Sequence, residues 1–196
     1  NNLQLRHEFM YSTPGALPQY TQMVEYNGKF YGVTGDGGIN DFGMLFEWDP
    51  ITDVYVSKHN FATATGRYPY GSLTVYNNKL YGTTQYGGTN SLGVIFEFDP
   101  STNVYTKKID FDGTIGSNPY GSFTETGGKL YGMTNQGGVN NAGVIFEWNP
   151  ATNVYIKKID FSNILGRNPY GDLLLSGGLF YGMTVTGGTN FAGVIF

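Results

Sequence analysis

The sequence predicts an all-β chain, a β-propeller of four four-stranded blades built on a 50-residue repeat. The first observation behind this is a Gly-Gly doublet at Gly37-Gly38, Gly87-Gly88, Gly137-Gly138 and Gly187-Gly188, spaced by 50 residues each time. Tyr31-Gly32, Tyr81-Gly82, Tyr131-Gly132 and Tyr181-Gly182 precede the doublets in one register, and Phe46, Phe96, Phe146 and Phe196 follow them. Self-similarity at this period marks stacked supersecondary units, none of which can bury its apolar face alone. Residues 1–196 therefore read as one domain, with units near 1–50, 51–100, 101–150 and 151–196. The second observation is composition: 16 Tyr, 14 Phe and 30 Gly with only 13% charged residues favour strands joined by tight turns. The third is that Gly or Pro interrupts every stretch long enough for an amphipathic helix.

The third unit shows how each element is read. Residues 120–126 (YGSFTET) alternate apolar and polar side chains and end at Gly127-Gly128, a hairpin signal. Residues 129–134 (KLYGMT) form a second strand, closed by the Gly137-Gly138 loop. Residues 143–148 (GVIFEW) form a third, stopped by Asn149-Pro150 because proline cannot donate to a central ladder. After a turn at 151–153, residues 154–161 (VYIKKIDF) form the fourth, and the loop 162–169 leads onward. Four short antiparallel strands per unit describe a propeller blade; a β-solenoid, the main competitor, repeats in shorter periods without so many internal turns.

The ends suggest how such a ring is sealed. Leu3, Leu5, His7 and Phe9 align with the fourth-strand residues Tyr55, Ser57, His59 and Phe61, while residues 193–196 lie within a third strand. The expectation is a ring closed by the N-terminal strand beside residues 194–196, or else a part of a larger ring completed by additional repeats or by a second copy in a homodimer.

Two resemblances follow from these residues. The run Trp48-Asp49-Pro50-Ile51-Thr52-Asp53-Val54-Tyr55 returns at 98–105 and, with Asn149 for Asp, at 148–155. With the upstream Gly-Gly it resembles the Kelch repeat, in which an aromatic pair flanks the last turn of a blade. The stretch from Leu80-Tyr81-Gly82-Thr83-Thr84 through Gly87-Gly88 to Gly93-Val94-Ile95-Phe96 is similar to the bacterial tandem repeat called GloVer. That resemblance covers all four units, residues 1–23 departing from it, and implies a multi-repeat protein that is secreted or held at the bacterial cell surface.

The charge pattern excludes some classes of partner and chemistry. A net charge of −4 argues against a nucleic-acid backbone as partner. No apolar run approaches the roughly 18 residues of a transmembrane segment. There is no cysteine, hence no thiolate metal site or redox pair. His7 and His59 are the only histidines, and both fall on outer strands, which leaves a catalytic triad or histidine zinc site without support. Asp36 and Asp41 share a loop, as a calcium site would require, but match no calcium-loop spacing. Glu47, Glu97 and Glu147 recur at one strand position, where repetition points to a structural or exposed role rather than to paired carboxylates across a cleft. The sequence thus predicts no catalytic residue, metal or cofactor.

Binding residues are sought where the units differ. In a Kelch-like topology one face displays the loops after the second strand and before the first, rich in Asn, Tyr, Gly and Thr, a composition suited to a polar ligand such as a sugar. Asp36, Tyr86, Gln136 and Thr186 occupy one position of the four loops and vary. Tyr70, Tyr120 and Tyr170, with Tyr20, open the innermost strands at the channel mouth. Asp36, Tyr86, Gln136, Thr186, Tyr70, Tyr120 and Tyr170 are the candidate ligand-binding residues, beside a packing role for the tyrosines between blades. The function expected is a non-catalytic extracellular binding or scaffold module for a carbohydrate or protein ligand; the alternatives are a polysaccharide-active enzyme on the same fold and a purely structural spacer.

Overall fold

The structure, a computed structural model, describes residues 4–10 and 15–196. Its strands come in blades. The first holds β1 (Val24–Tyr26), β2 (Lys29–Thr34), β3 (Met44–Asp49) and β4 (Val54–Asn60), hydrogen-bonded in that order. The second repeats this with β5 (Thr74–Tyr76), β6 (Lys79–Thr84), β7 (Val94–Asp99) and β8 (Val104–Asp110). The third has β9 (Thr124–Thr126), β10 (Lys129–Thr134), β11 (Val144–Asn149) and β12 (Val154–Asp160). The fourth pairs β13 (Leu174–Ser176) with β14 (Leu179–Tyr181), and a bridge from Met183 to Ile195 begins its third strand. All pairings are antiparallel, and the chain forms β-propeller blades.

The innermost strand is shorter than the alternation 120–126 suggests. The backbone of its first half serves the neighbouring blade: the Ser122 N–H donates to Asp172 Oδ1 at 2.6 Å, and a Cβ on Gly121 would lie 2.4 Å from the Gly171 carbonyl oxygen. Those residues lie outside the blade's own ladder, which begins at Thr124. The glycine of each Tyr-Gly pair is explained by an aromatic neighbour. A Cβ on Gly132 would sit 2.7 Å from Cζ of Phe146, whose ring covers that position. At the doublet, Gly137 has φ of 80° and Gly138 of 75°, left-handed conformations that favour glycine, and a Cβ on Gly137 would lie 2.6 Å from the Gly116 carbonyl carbon.

Blades are joined by aromatic contacts: Tyr31 meets Phe98 (centroids 6.5 Å apart) and Tyr81 meets Trp148 (5.5 Å) in one register, while Tyr131 meets Phe180 (4.6 Å), a second-strand residue of the next blade. Phe96, Phe98, Leu130, Phe146 and Trp148 are wholly buried in the resulting core. The same tyrosines are tied to a buried carboxylate: the Tyr31 hydroxyl donates to Glu47 Oε2 at 2.6 Å and Tyr131 to Glu147 Oε2 at 3.0 Å. Each carboxylate also pairs two lysines, Lys29 and Lys58 on Glu47 (2.6 and 3.1 Å), Lys79 and Lys108 on Glu97 (2.6 and 3.6 Å), Lys129 and Lys158 on Glu147 (2.5 and 3.2 Å). A buried carboxylate is tolerated only when compensated in this way. Burial pushes the Glu47 and Glu97 carboxyls up, but their lysine and tyrosine partners outweigh it and hold both below the usual range. For Glu147 the Lys129 hydrogen bond dominates and, with Lys158 and Tyr131 and against desolvation, brings it down to about 2. The adjacent lysines of the fourth strands are thus split: Lys108 and Lys158 serve these carboxylates, while Lys107 and Lys157 pair with Asp110 and Asp160.

Two expectations are modified. Trp148 and Tyr155 face each other in register, as do Trp48 and Tyr55, yet their rings take different partners. Trp148 turns to Tyr81 of the preceding blade, whereas Tyr155 stacks on Phe146 at 5.0 Å. The N-terminal segment is the other. Among the described residues, 4–10 form no ladder with 194–196; Leu3 lies outside them. Instead His7 stacks on Tyr55 at 3.9 Å and Phe9 packs on Phe46, as His59 stacks on Tyr105 at 3.8 Å and Phe61 packs on Phe96. The segment thus lies on the first blade as an outer strand lies on the blade that follows it, held by aromatic stacking rather than by strand pairing. Among the described residues no fourth strand pairs with the fourth blade, and Ile195 is 81% exposed.

Three outcomes are expected. Trp148→Ala costs about 3–5 kcal/mol in denaturant unfolding, and Trp48→Ala clearly less, because Trp48 is only half-buried. Gly137→Val loses more stability than Gly127→Val: both positions carry the left-handed cost of about 1–2 kcal/mol, but a Cβ on Gly127 meets nothing within 4 Å. For Glu147, whose carboxyl falls from an ordinary 4.5 to about 2, the stabilisation is full above about pH 4.5 and disappears as pH falls through about 2. Glu147→Gln is therefore less stable than the parent at pH 7, and the difference shrinks between pH 4.5 and 2 in acid-unfolding curves.

Candidate functional site: an axial tyrosine cavity

Where the innermost strands begin, Tyr20, Tyr70, Tyr120 and Tyr170 line one cavity of ≈ 670 Å³ together with Gln19, Gln85, Ser122 and Asp172. The local sequence explains their convergence. Tyr70, Tyr120 and Tyr170 each follow a proline that is preceded by a left-handed residue, Tyr68 (φ 59°), Asn118 (φ 54°) or Asn168 (φ 57°). The Asn118 side chain donates to the Gln85 carbonyl and that of Asn168 to the Asn135 carbonyl, which pins each turn to the blade before it. Asparagine suits this position because it tolerates positive φ and bonds locally.

The rings form a curved file. Tyr20 meets Tyr70 edge-on at 6.2 Å, Tyr70 lies parallel to Tyr120 at 5.7 Å, and Tyr120 is tilted against Tyr170 at 4.4 Å. Behind them a hydrogen-bond relay runs from blade to blade. The Gln22 N–H donates to Ser72 Oγ (2.7 Å), the Ser72 N–H to Ser122 Oγ (2.9 Å) and the Ser122 N–H to Asp172 Oδ1. Gln85 Nε2 donates to the Tyr120 hydroxyl, leaving that phenol proton for another acceptor. Burial first, then Asp36, pushes the Tyr70 phenol up; burial first, then Tyr170, does the same for Tyr120. Both remain neutral donors at physiological pH. The cavity wall therefore offers aromatic faces, hydroxyls, an amide and one carboxylate, and no cationic side chain lines it.

The candidate residues thus fall into two sets. Tyr70, Tyr120 and Tyr170 come together with Tyr20 around the cavity, and they also pack on one another, so both roles read from sequence are present. Asp36, Tyr86, Gln136 and Thr186 do not line it. Each forms an antiparallel bridge to the loop that precedes the innermost strand of its own blade, with Ala16, Arg67, Ser117 and Arg167 as the respective partners. Gln85, Ser122 and Asp172 were missed by sequence reasoning, although Ser72, Ser122 and Asp172 share one repeat register that signals an inner-strand role. Burial, then Asp41, pushes the Asp36 carboxyl up, and Asp41 Oδ1 accepts the Gly37 N–H. Among the described residues no group of three or more His, Cys, Asp and Glu could hold a metal ion. His59 lies away from the cavity, and burial lowers its imidazole to about 4.

Comparison with solved structures places the fold. The extracellular domain of the one-component system BT4673 from B. thetaiotaomicron aligns at TM-score 0.58 and 12% identity, covering 93% of this chain and 22% of that one. TolB from Acinetobacter baumannii aligns at 0.53 and 14%, covering 92% and 42%. YjhT aligns at 0.52 and 13%, covering 83% and 58%. The chain thus spans well under two thirds of each of these proteins. A search of curated protein sequences gave no match. Among the described residues no helix is long and apolar enough to cross a membrane. The repeat read from the glycines is matched along the whole sequence, residues 1–196, by the Gloeobacter/Verrucomicrobia repeat, and the chain belongs to that family.

Proposed function

We propose that the chain is a non-catalytic binding module of an extracellular bacterial protein, and that it takes a neutral, polyhydroxylated ligand, a glycan, at the axial tyrosine cavity. The observation that carries this reading is the file of four tyrosines around one cavity, with hydroxyl and amide groups between the rings. Stacked aromatic faces accept the apolar face of a sugar ring, and the intervening polar groups match its hydroxyls. Placement outside the cell is supported by the repeat family's resemblance to secreted and surface proteins and by the extracellular domain among the structural neighbours. In the same reading a further blade, from additional repeats or a second copy, covers the exposed Tyr181, Met183 and Ile195, whose counterparts Met133 and Ile145 are buried by the next blade.

A polysaccharide-active enzyme is the weaker reading. Hydrolysis by paired carboxylates needs two acids flanking the bond, whereas Asp172 alone lines the cavity and Glu47, Glu97 and Glu147 are committed to lysines. The test is a glycan array followed by calorimetry on the best neutral oligosaccharide. Tyr120→Ala should weaken binding by about tenfold or more, roughly 1.4 kcal/mol, while Ile51→Ala, far out on an exposed turn, leaves it unchanged. An array without binders, or equal affinity in Tyr120→Ala, overturns the proposal.

A further inference from the structure

We infer that the loop 162–170 carries a second binding site, on Arg167, for an oxyanion group of an acidic saccharide. It goes beyond the axial cavity, which no cation lines. The starting point is what the fold does not require. The backbone bridge that seats Arg167 against Thr186 is made equally by Ala16 with Asp36 and by Ser117 with Gln136. An arginine is therefore unnecessary for the ladder.

The guanidinium also lacks an anionic partner. Arg167 Nη1 donates to Asn163 Oδ1 at 3.1 Å, its Nε is buried without a partner, and among the described residues the ion pair made by an arginine is that of Arg6 with Asp53. A cation in this position is normally matched by an acid or a ligand. Arg167 borders a cavity of ≈ 330 Å³ with Asn140, Ser162, Asn163 and Ile164, none of them acidic. Ser162 Oγ accepts the Leu165 N–H at 3.2 Å, which leaves its hydroxyl proton to be donated. Asn163 gives its carbonyl oxygen to Arg167, which leaves its amide protons. The cavity thus collects donors from three side chains around one positive charge, the complement of a carboxylate or sulfate. Ile164, 83% exposed, supplies an apolar flank for the attached sugar ring.

The third unit shows the contrast. Asp112 stands where Ser162 does and Ser117 where Arg167 does, and Asp112 Oδ1 accepts the Thr114 and Ile115 N–H groups. The loop is built there without a cation and with an acid in the serine's place. In the second unit Arg67, whose Nε is likewise buried without a partner, packs on Phe42, Tyr68 and Tyr86, with its guanidinium carbon 5.4–5.8 Å from their centroids.

The experiment compares the parent chain with Arg167→Ser, which installs the residue that the third unit uses, with Ile51→Ala and with Tyr120→Ala. Binding to polygalacturonate, dextran sulfate and neutral dextran is measured by affinity electrophoresis at low and high salt, with thermal unfolding as a check on folding. The parent should bind at least one acidic polymer and release it at high salt. Arg167→Ser, equally stable, should bind that polymer about tenfold more weakly, and Ile51→Ala, on its exposed turn, should bind it like the parent. Preference for polygalacturonate identifies a carboxylate, preference for dextran sulfate a sulfate. Equal binding by Arg167→Ser, or no acidic polymer bound by the parent, overturns the inference. Loss of acidic binding in Tyr120→Ala, with Arg167→Ser unaffected, would assign the anion to the axial cavity instead.

Discussion

Tyr81 meets two demands at once, and the stacking of blades depends on it and on its counterparts. Its ring packs on Trp148 of the next blade, while its hydroxyl end lies by Glu97, the buried carboxylate held by Lys79 and Lys108. The apolar contact draws blades together over a large area. The ion network fixes the tyrosine's position, because a carboxylate this deeply buried keeps its charge only where all three partners reach it. The glycine that follows makes the contact feasible: with Phe96 seated against Gly82, the sheet can press its neighbour closely. The stacking then places the loops, and the loops place the tyrosines around the axis.

Much of this was legible in the sequence because repetition separates what the fold needs from what it does not. The Gly-Gly doublets and the Tyr-Gly pairs recur, and the structure gives each a steric or conformational reason. What sequence could not supply was contact between units. Trp148 lies opposite Tyr155 in register, as the repeat implies, and its ring also meets Tyr81 across the blade junction. Nothing in local spacing marks a contact between residues so far apart. The innermost strands look longer in sequence than in the ladder for the same reason, since the backbone near Gly121 and Ser122 bonds to the next blade. The N-terminal segment carries the pattern of an outer strand and is placed as one, but rests on the first blade by His7 and Phe9 instead of pairing with the last.

The candidate sites divide along the same line. The axial tyrosines repeat, so their convergence follows from the fold, and ligand recognition there would use a surface that every blade helps to form. The rim positions differ from unit to unit while each keeps an antiparallel bridge: Asp36 with Ala16, Tyr86 with Arg67, Gln136 with Ser117, Thr186 with Arg167. A scaffold that holds its loops this firmly can vary those side chains at little structural cost, as loops on rigid elements generally do. The third unit, with Ser117 in place of arginine, acts as a built-in control for the fourth.

The account rests on the tyrosine cavity being a place where a ligand sits and not only a packing seam. Fluorotyrosine incorporation with ¹⁹F NMR reads this directly, because the axial rings and the core rings titrate separately. On addition of a bound neutral oligosaccharide, the signals of Tyr20, Tyr70, Tyr120 and Tyr170 should shift, while those of Tyr55, Tyr105 and Tyr155, packed in the blade cores, should stay in place. Shifts confined to other tyrosines, with the four axial signals unmoved at saturation, would contradict it.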